Sequence, residues 1–179
     1  MIYLLLIETD ADKRKFEIVY KKYRRLMATV AYDVLHNYND VEDVLHDSFI
    51  KIANNMHCIK EAESKETRNF VSVIAKRTAL DYYRKNKSRQ KREFTAEKLG
   101  EYQIPRQYIK DNEEEFGRIM KVLLELPEDY KEVMMLRYVN RLQEKEIAKV
   151  LELREGTVRM RISRGKKLIE EALNSKDKE

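Results

Sequence analysis

The sequence of 179 residues is poor in residues that cross-link or interrupt a chain: it has one cysteine, two prolines, four glycines and no tryptophan. The single Cys58 excludes an internal disulfide framework and fits a reducing compartment, so we expect the protein in the cytoplasm. The apolar run from Ile2 to Ile7 is too short to cross a bilayer and lacks the features of a signal peptide, so no membrane insertion is expected. With so few glycines and prolines, little interrupts long helices.

Patterns typical of catalysis and metal binding are also missing. The histidines His36, His46 and His57 lack metal-ligand spacing, and the glycines form no phosphate-binding loop. No candidate nucleophile is accompanied by a base. The sequence therefore argues against an enzyme, and we expect no cofactor and no metal.

What remains is a charged, helix-forming sequence. Charged residues make up 39% of the chain and the formal net charge is +5, which permits a polyanionic partner without requiring one. Apolar residues recur at helical spacing over 16–34, over 41–56 behind a turn and N-cap at Asn39 and Asp40, and over 70–80. No strand pattern or internal repeat is evident. The predicted fold is all-α, with two small helical domains joined by a flexible linker.

The predicted linker is the segment in which the helical period is lost. Beyond Leu80 the pattern dissolves into a basic stretch, followed by a polar segment containing Gly100 and Pro105, which indicates a linker over residues 93–112. The N-terminal domain is then 1–92 and the C-terminal domain is 113–179. Within the second domain, Pro127 separates two helices.

A helix-turn-helix is predicted in the C-terminal domain. A short helix carries Ile147 and Leu151, the connection runs from Glu152 to Arg154, and a long helix follows over 155–173. The second helix of such a motif enters the major groove of DNA, so its exposed face needs long hydrogen-bond donors. The cations here are Arg154, Arg159, Arg161, Arg164, Lys166 and Lys167. A merely solvated basic helix is the alternative, but only Glu155 opposes these six cations.

These residues carry a family resemblance. The sequence LPEDYKEVMMLRYV from Leu126, with EIA from Glu146 and GTVRMRISR from Gly156, resembles region four of bacterial RNA polymerase sigma factors. In that family, the long helix reads the minus-thirty-five promoter element. The resemblance implies base-facing positions at Arg159, Met160, Ser163 and Arg164. It implies further DNA contacts at Arg154, Thr157 and Arg161 and phosphate contacts at Lys166 and Lys167.

Two positions depart from the region-four pattern. Glu152 stands where the family often has a turn glycine, and Arg154 replaces the usual Ser or Thr cap of the long helix. If Glu152 adopts a left-handed conformation, the cost is on the order of 1 kcal/mol.

The stretch EDVLHDSFIK from Glu42 resembles region two of the same family, in the helix that binds the coiled coil of the largest polymerase subunit. The resemblance implies that Asp43, His46 and Asp47 contact core RNA polymerase. Acidic groups on the exposed side of a helix suit a basic partner and fix the register of docking. An ordinary solvated acidic face is the alternative.

The stretch RNFVSVIAKRTALDYYRK from Arg68 resembles the part of region two that melts the promoter and reads the minus-ten element. Holding single-stranded DNA requires cations along the backbone and flat side chains for stacking. The resemblance assigns charge to Lys76, Arg77, Arg84 and Lys85, and stacking to Tyr82. It also predicts that the loop from Glu61 to Thr67 forms a pocket for a flipped base, with hydrogen bonds from Ser64 or Asn69. Phe70 and Tyr83 are expected in the core.

The family's large middle domain is missing between the two modules, which marks the extracytoplasmic-function (ECF) group. The resemblance implies core RNA polymerase, promoter DNA and an anti-sigma factor as partners. The competing interpretation is a free-standing dimeric helix-turn-helix regulator, which leaves the N-terminal module unexplained. A third interpretation is a structural or adaptor protein, in which both basic stretches would be solvated helix faces without a binding role.

Overall fold

The computed structural model describes the backbone of residues 2–90 and 114–176, and the side chains of 2–86 and 119–174. Helices are the only regular elements within these ranges, which confirms the all-α class. The chain divides into two compact units, Met1–Glu101 and Tyr102–Glu179. The predicted linker over 93–112 lies outside the described residues, so the domain bounds stay a prediction. No helix in the described ranges is long and apolar enough to cross a membrane.

The first unit contains, within the described residues, three long helices and two short 3-10 helices, Ile2–Leu6 and Met56–Cys58. The 3-10 helix Ile2–Leu6 is called the N-terminal segment below. The long helices are α1 (Asp10–Leu35), α2 (Tyr38–Ala53) and α3 (Lys65–Gln90), and each packs against the other two. Their apolar faces share one core, whose largest fully buried side chains include Phe16, Met27, Phe49, Ile52, Phe70 and Ile74.

The start of α2 corrects one prediction. The N-cap is Asn37, whose side chain accepts a hydrogen bond from the backbone N–H of Asn39 at 3.0 Å. The prediction of a cap at Asn39 and Asp40 was therefore wrong, because both residues lie in the first turn of α2. Asp40 instead accepts a hydrogen bond from the Asn37 side-chain amide at 3.1 Å. A carboxylate in the first turn is favoured by the helix dipole.

Helix α3 is longer than the sequence pattern suggested at both ends. It begins at Lys65, inside the predicted loop, because the Ser64 hydroxyl accepts a hydrogen bond from the Thr67 N–H at 3.1 Å and acts as an N-cap. It continues past Leu80 to Gln90. The apolar period ends at Leu80 because the helix leaves the core beyond that residue, where Arg84 and Lys85 are exposed. Arg, Lys and Gln nevertheless favour helix, and no glycine or proline interrupts them.

The second unit contains α4 (Glu114–Glu125), α5 (Glu128–Tyr138), α6 (Glu144–Leu151) and α7 (Glu155–Lys176). Helix α7 packs against the other three helices. The core includes Leu123, Val133, Leu136, Ile147, Leu151, Val158 and Ile162. Helices α6 and α7 form the predicted helix-turn-helix.

The turn between α6 and α7 uses a left-handed residue that is not glycine. Glu152 adopts the left-handed conformation, with φ 54° and ψ 44°. The turn is closed by hydrogen bonds from the N–H of Leu153 to the carbonyl of Ala148 at 2.9 Å and from Val158 to Arg154 at 3.1 Å. These backbone bonds offset the cost of the left-handed conformation at Glu152, about 1 kcal/mol.

Candidate nucleic-acid interface

The side chains predicted to read DNA on α7 lie mainly on its exposed side. Positions 159, 160, 163, 166 and 167 recur at helical spacing, so one face of the helix presents them together. Thr157, in the first turn, is half-buried. The exposed members of the predicted set are Arg154, Arg159, Met160, Ser163, Arg164, Lys166 and Lys167.

Arg161 points in a different direction from the other cations of α7. Only 14% of its side chain is exposed, and its Nη1 donates a hydrogen bond of 2.9 Å to Oε1 of Glu132 on α5. Its Nη2 lies 3.4 Å from Oδ2 of Asp129. Glu132 is itself buried. The geometry gives Arg161 a structural partner, and a DNA contact by Arg161 stays a prediction.

Arg159 bridges the two helices of the helix-turn-helix. Its Nε donates a hydrogen bond of 3.0 Å to Glu144 at the start of α6, and its Nη2 lies 3.3 Å from Glu155 in the first turn of α7. Its side chain remains 63% exposed. No pattern in the sequence pointed to Glu144, which is 15 positions from Arg159. The two carboxylates hold the guanidinium while leaving most of the side chain open to solvent.

The predicted minus-ten residues on α3 differ in exposure. Asn69 and Lys76 are buried, whereas Arg84 and Lys85 are exposed near the end of the helix. Arg77 is largely buried, and its Nε lies 3.0 Å from Oδ2 of Asp81. The other oxygen of Asp81 lies 3.7 Å from Nη1 of Arg84. Asp81 therefore links a largely buried arginine to an exposed one on the same side of α3.

Two tyrosines follow one another on α3. The hydroxyl of Tyr82 donates a hydrogen bond of 3.0 Å to Oδ1 of Asp40, which fixes the ring against the first turn of α2. Its ring is half-buried, so part of it faces solvent. Tyr83 is also half-buried, while Phe70 is fully buried, as predicted for a core residue.

A pocket of about 400 Å³ opens where α1 meets the loop before α3. The Lys22 ammonium donates a hydrogen bond of 2.8 Å to Glu63, and the Tyr23 hydroxyl donates one of 3.3 Å to the carbonyl of Ser64. Burial raises the pKa of the Tyr23 hydroxyl. The predicted pocket-forming loop thus does line a pocket, with α1 as its other wall. The lining residues are Lys22, Tyr23, Leu26, Glu63, Ser64, Lys65 and Arg68.

The predicted polymerase contacts Asp43, His46 and Asp47 are all exposed on α2. Nδ1 of His46 lies 2.9 Å from the hydroxyl of Tyr3, in a hydrogen bond between α2 and the N-terminal segment. Burial raises the pKa of the Tyr3 hydroxyl, and the nearby Tyr20 raises it further. The sequence had indicated no role for the N-terminal segment.

Comparison with known proteins identifies both modules. The model for Sigma-70 region 2 matches residues 19–89, and the model for Sigma-70 region 4 matches residues 116–169. Together they cover more than two thirds of the chain.

Curated relatives match most of the length of this chain. The ECF RNA polymerase sigma factor SigX of Bacillus subtilis is 23% identical over 159 residues, which cover 86% of this chain and 81% of that protein. The ECF RNA polymerase sigma-E factor of Haemophilus influenzae is 27% identical over 171 residues, which cover 90% of this chain and 88% of that protein. The chain belongs to the ECF sigma factors.

A sigma factor directs core RNA polymerase to promoters, so this ECF sigma factor binds both core RNA polymerase and promoter DNA. The interpretation as a dimeric helix-turn-helix regulator is not favoured, because it does not account for the match to region 2. Among solved structures, the sigma factor RpoE of Bartonella quintana, in complex with the anti-sigma factor NepR, aligns with 93% of this chain and 98% of that chain at 16% identity, with a TM-score of 0.49.

Proposed function

We propose that this ECF sigma factor reads the minus-thirty-five element as duplex DNA with the exposed side of α7 and holds the melted minus-ten strand on the first unit. It would have no catalytic activity of its own. One observation carries the proposal: α7 presents Arg159, Met160, Ser163 and Arg164 on its exposed side, while Arg161 fixes the other side to Glu132.

The chemistry of these side chains suits a major groove. An arginine that contacts guanine through two hydrogen bonds discriminates against other bases by about 1 to 3 kcal/mol. Arg159 and Arg164 are assigned this role, and Lys166 and Lys167 are assigned to phosphates, where they add affinity without reading sequence. Arg154 and Thr157 lie at the start of α7, where the helix dipole favours a phosphate.

The first unit offers two features suited to a melted strand. The pocket beside Ser64 is lined by the buried Tyr23 and by cationic side chains, which suits an unstacked base next to a phosphate. The exposed Arg84 and Lys85 supply positive charge along α3, and the half-exposed ring of Tyr82 supplies a stacking surface worth about 1 to 3 kcal/mol per base. Asn69, Lys76 and Arg77 are assigned a supporting role through the packing of α3, since all three side chains are largely or fully buried.

The polymerase-binding role is assigned to the exposed face of α2. Asp43 and Asp47 place two carboxylates beside His46, and such a face suits a basic partner. An anti-sigma factor is a further proposed partner, because exposed basic and apolar surfaces require cover when polymerase is absent. The expected place of action is the cytoplasm, where core RNA polymerase works.

The experiment is run-off transcription with purified core RNA polymerase on the promoter upstream of this protein's own gene. The double variant Arg159→Ala with Arg164→Ala should lose selectivity for the minus-thirty-five element while still binding core polymerase. Lys121→Ala is the matched control, because it removes an exposed cation from α4 of the same unit. Unchanged promoter selectivity in the double variant would remove the proposed roles of both arginines.

A second variant tests the first unit. Asp43→Arg reverses an exposed charge on α2 and should abolish binding to core polymerase without affecting the fold. Wild-type affinity of this variant for core polymerase would contradict the docking assignment.

A further inference from the structure

The N-terminal segment is anchored to the first unit by two residues. The ring of Tyr3 lies 5.7 Å from that of Phe16 and 5.8 Å from that of Phe49, measured between centroids. Its hydroxyl is hydrogen-bonded to His46, on the face of α2 assigned to core polymerase. Ile7, directly after the segment, is buried. The segment is therefore part of the packed unit and lies against α2.

The same segment also presents large apolar side chains to solvent. Leu5 is 85% exposed, Ile2 67% and Leu6 46%. Residues three apart in a 3-10 helix lie in line, so Ile2 and Leu5 share one side of the segment and Leu6 lies on the side of Tyr3. Exposed apolar side chains close together on a folded protein mark interaction sites. If the segment served only to cover the α1 and α2 core, Tyr3 and Ile7 would suffice.

Charge borders this apolar patch on the α2 side. Glu42, Asp43 and Asp47 are exposed on α2. Arg24 of α1 donates hydrogen bonds of 3.0 Å to both carboxylate oxygens of Glu42, so Asp43 and Asp47 carry the net negative charge of this border. Both signs of charge act on Tyr3: after the larger effects of burial and Tyr20, which raise its pKa, Arg24 lowers it and the carboxylates of Glu42 and Asp47 raise it. An apolar centre with a charged rim is the usual composition of a protein interface. Anionic lipid would be repelled by these carboxylates, whereas a protein with basic residues next to an apolar patch would be attracted.

We propose that the N-terminal segment and the exposed face of α2 form one continuous docking surface for core RNA polymerase. Ile2, Leu5 and Leu6 supply apolar contact, and the carboxylates of α2 steer the approach and fix the register. This inference rests on the polymerase-docking role proposed for α2. Tyr3, whose side chain is half-buried, is a positioning residue, because its hydroxyl holds the segment beside His46.

The test measures the dissociation constant of the full chain for core RNA polymerase. Leu5→Ser should raise it about tenfold or more, since burial of one leucine side chain is worth at least that factor in affinity. Ile2→Ser is a second variant at another exposed position and should act in the same direction. Because both side chains are exposed, neither change should alter the thermal melting of the unbound protein.

Ile18→Ser is the matched control. Ile18 is also a large exposed apolar residue of this unit, 45% exposed, but it lies on the side of α1 opposite to Phe16 and Tyr20, which contact Tyr3. The dissociation constant of the Ile18→Ser variant for core RNA polymerase should stay within about twofold of the wild-type value. Raising the salt concentration should shrink the effect of Asp43→Arg, because charge interactions are screened, and leave the effect of Leu5→Ser in place.

The outcomes separate this inference from the docking role of α2. If Leu5→Ser and Ile2→Ser bind like wild type while Asp43→Arg fails to bind, the N-terminal segment has no part in docking and the role of α2 stands. If Asp43→Arg also binds like wild type, the role of α2 is lost as well. If sedimentation velocity shows that the wild type dimerises and Leu5→Ser does not, the patch contacts a second copy and the inference is overturned.

Discussion

The guanidinium of Arg159 on α7 is fixed by Glu144 on α6, with Nε and Oε2 3.0 Å apart. Glu155 contacts the same edge of the guanidinium at Nη2, at 3.3 Å. Since a guanidinium carries five N–H donors, the terminal Nη1 group and one hydrogen of Nη2 remain for a ligand. Glu144 therefore directs the side chain that is assigned to base reading, although it belongs to the other helix of the motif.

We predict that Glu144→Gln lowers promoter discrimination rather than stability. The ion pair is exposed, so it is worth at most about 1 kcal/mol. The affinity ratio between a promoter with an intact minus-thirty-five element and one with a scrambled element should fall by up to about fivefold. Affinity for the scrambled promoter should rise, because a negative charge near the phosphates has been removed. Binding of the polymerase holoenzyme at fixed salt measures both quantities.

The matched control for Glu144→Gln is Glu125→Gln, which removes the same charge from the exposed C-terminal end of α4. It should leave the affinity ratio unchanged. An unchanged ratio for Glu144→Gln as well would mean that Arg159 does not need this carboxylate to read DNA.

The features that the sequence predicted depend on local patterns. The helical period of apolar residues predicted that Phe70 lies in the core, and the spacing from Ile147 to Arg154 predicted the helix-turn-helix. The sequence raised a left-handed conformation of Glu152 only as a condition, and the structure has one, as is common for the residue that ends a helix.

The features that the sequence did not predict depend on contacts between distant residues. Neither the Glu144–Arg159 pair nor the hydrogen bond between Tyr3 and His46 leaves a periodic signal. Arg161 is different, because helical spacing places it on the side of α7 that carries Val158 and Gly165, both buried. That signal was present, but the positive charge of Arg161 suggested a role on DNA.

We predict that Arg161→Ala destabilises the second unit by about 3 kcal/mol. The substitution removes the guanidinium that lies 2.9 Å from the buried carboxylate of Glu132. Removing one partner of a buried ion pair lowers the free energy of unfolding, because the charge of the other partner stays buried. Urea unfolding followed by circular dichroism measures the loss. Arg164→Ala is the control, since Arg164 is exposed, and it should change stability by less than about 0.5 kcal/mol.

A double variant separates the two roles of Arg161. Replacing both partners, Arg161→Met with Glu132→Leu, removes both charges and should cost less stability than Arg161→Ala alone. If Arg161→Ala instead kept wild-type stability and weakened promoter binding, Arg161 would be a DNA contact after all.

We predict opposite effects for alanine at two glycines of α7. A Cβ at Gly165 would lie 2.9 Å from Cγ of the buried Met134 on α5, so Met134 would have to move. Overpacking of this kind costs about 1 to 3 kcal/mol, which exceeds the gain of about 0.5 to 1 kcal/mol from replacing a helical glycine. Gly156 has nothing within 4 Å of the same position, so Gly156→Ala should be neutral or stabilising.

Urea unfolding of the two alanine variants compares them directly. A stabilised Gly165→Ala would show that α5 and α7 separate easily at this point, contrary to their close packing.

We predict that Ser64 has two separable roles, in capping α3 and in lining the pocket. Its hydroxyl accepts a hydrogen bond from the Thr67 N–H at 3.1 Å, so Ser64→Ala should destabilise the first unit by about 1 kcal/mol. Ser64→Asp keeps a good N-cap and should retain most of the stability, but it places a negative charge at the edge of the pocket.

Thermal melting and open-complex formation should therefore separate the two roles of Ser64. Thermal melting should rank Ser64→Asp above Ser64→Ala. Open-complex formation by the holoenzyme should be weaker for Ser64→Asp, because the new carboxylate repels the phosphates of a strand held at the pocket. The affinity of this variant for core polymerase should stay unchanged. Full open-complex formation by Ser64→Asp would show that the minus-ten strand does not pass this pocket, and the base-binding role would then have to be sought along α3 near Tyr82.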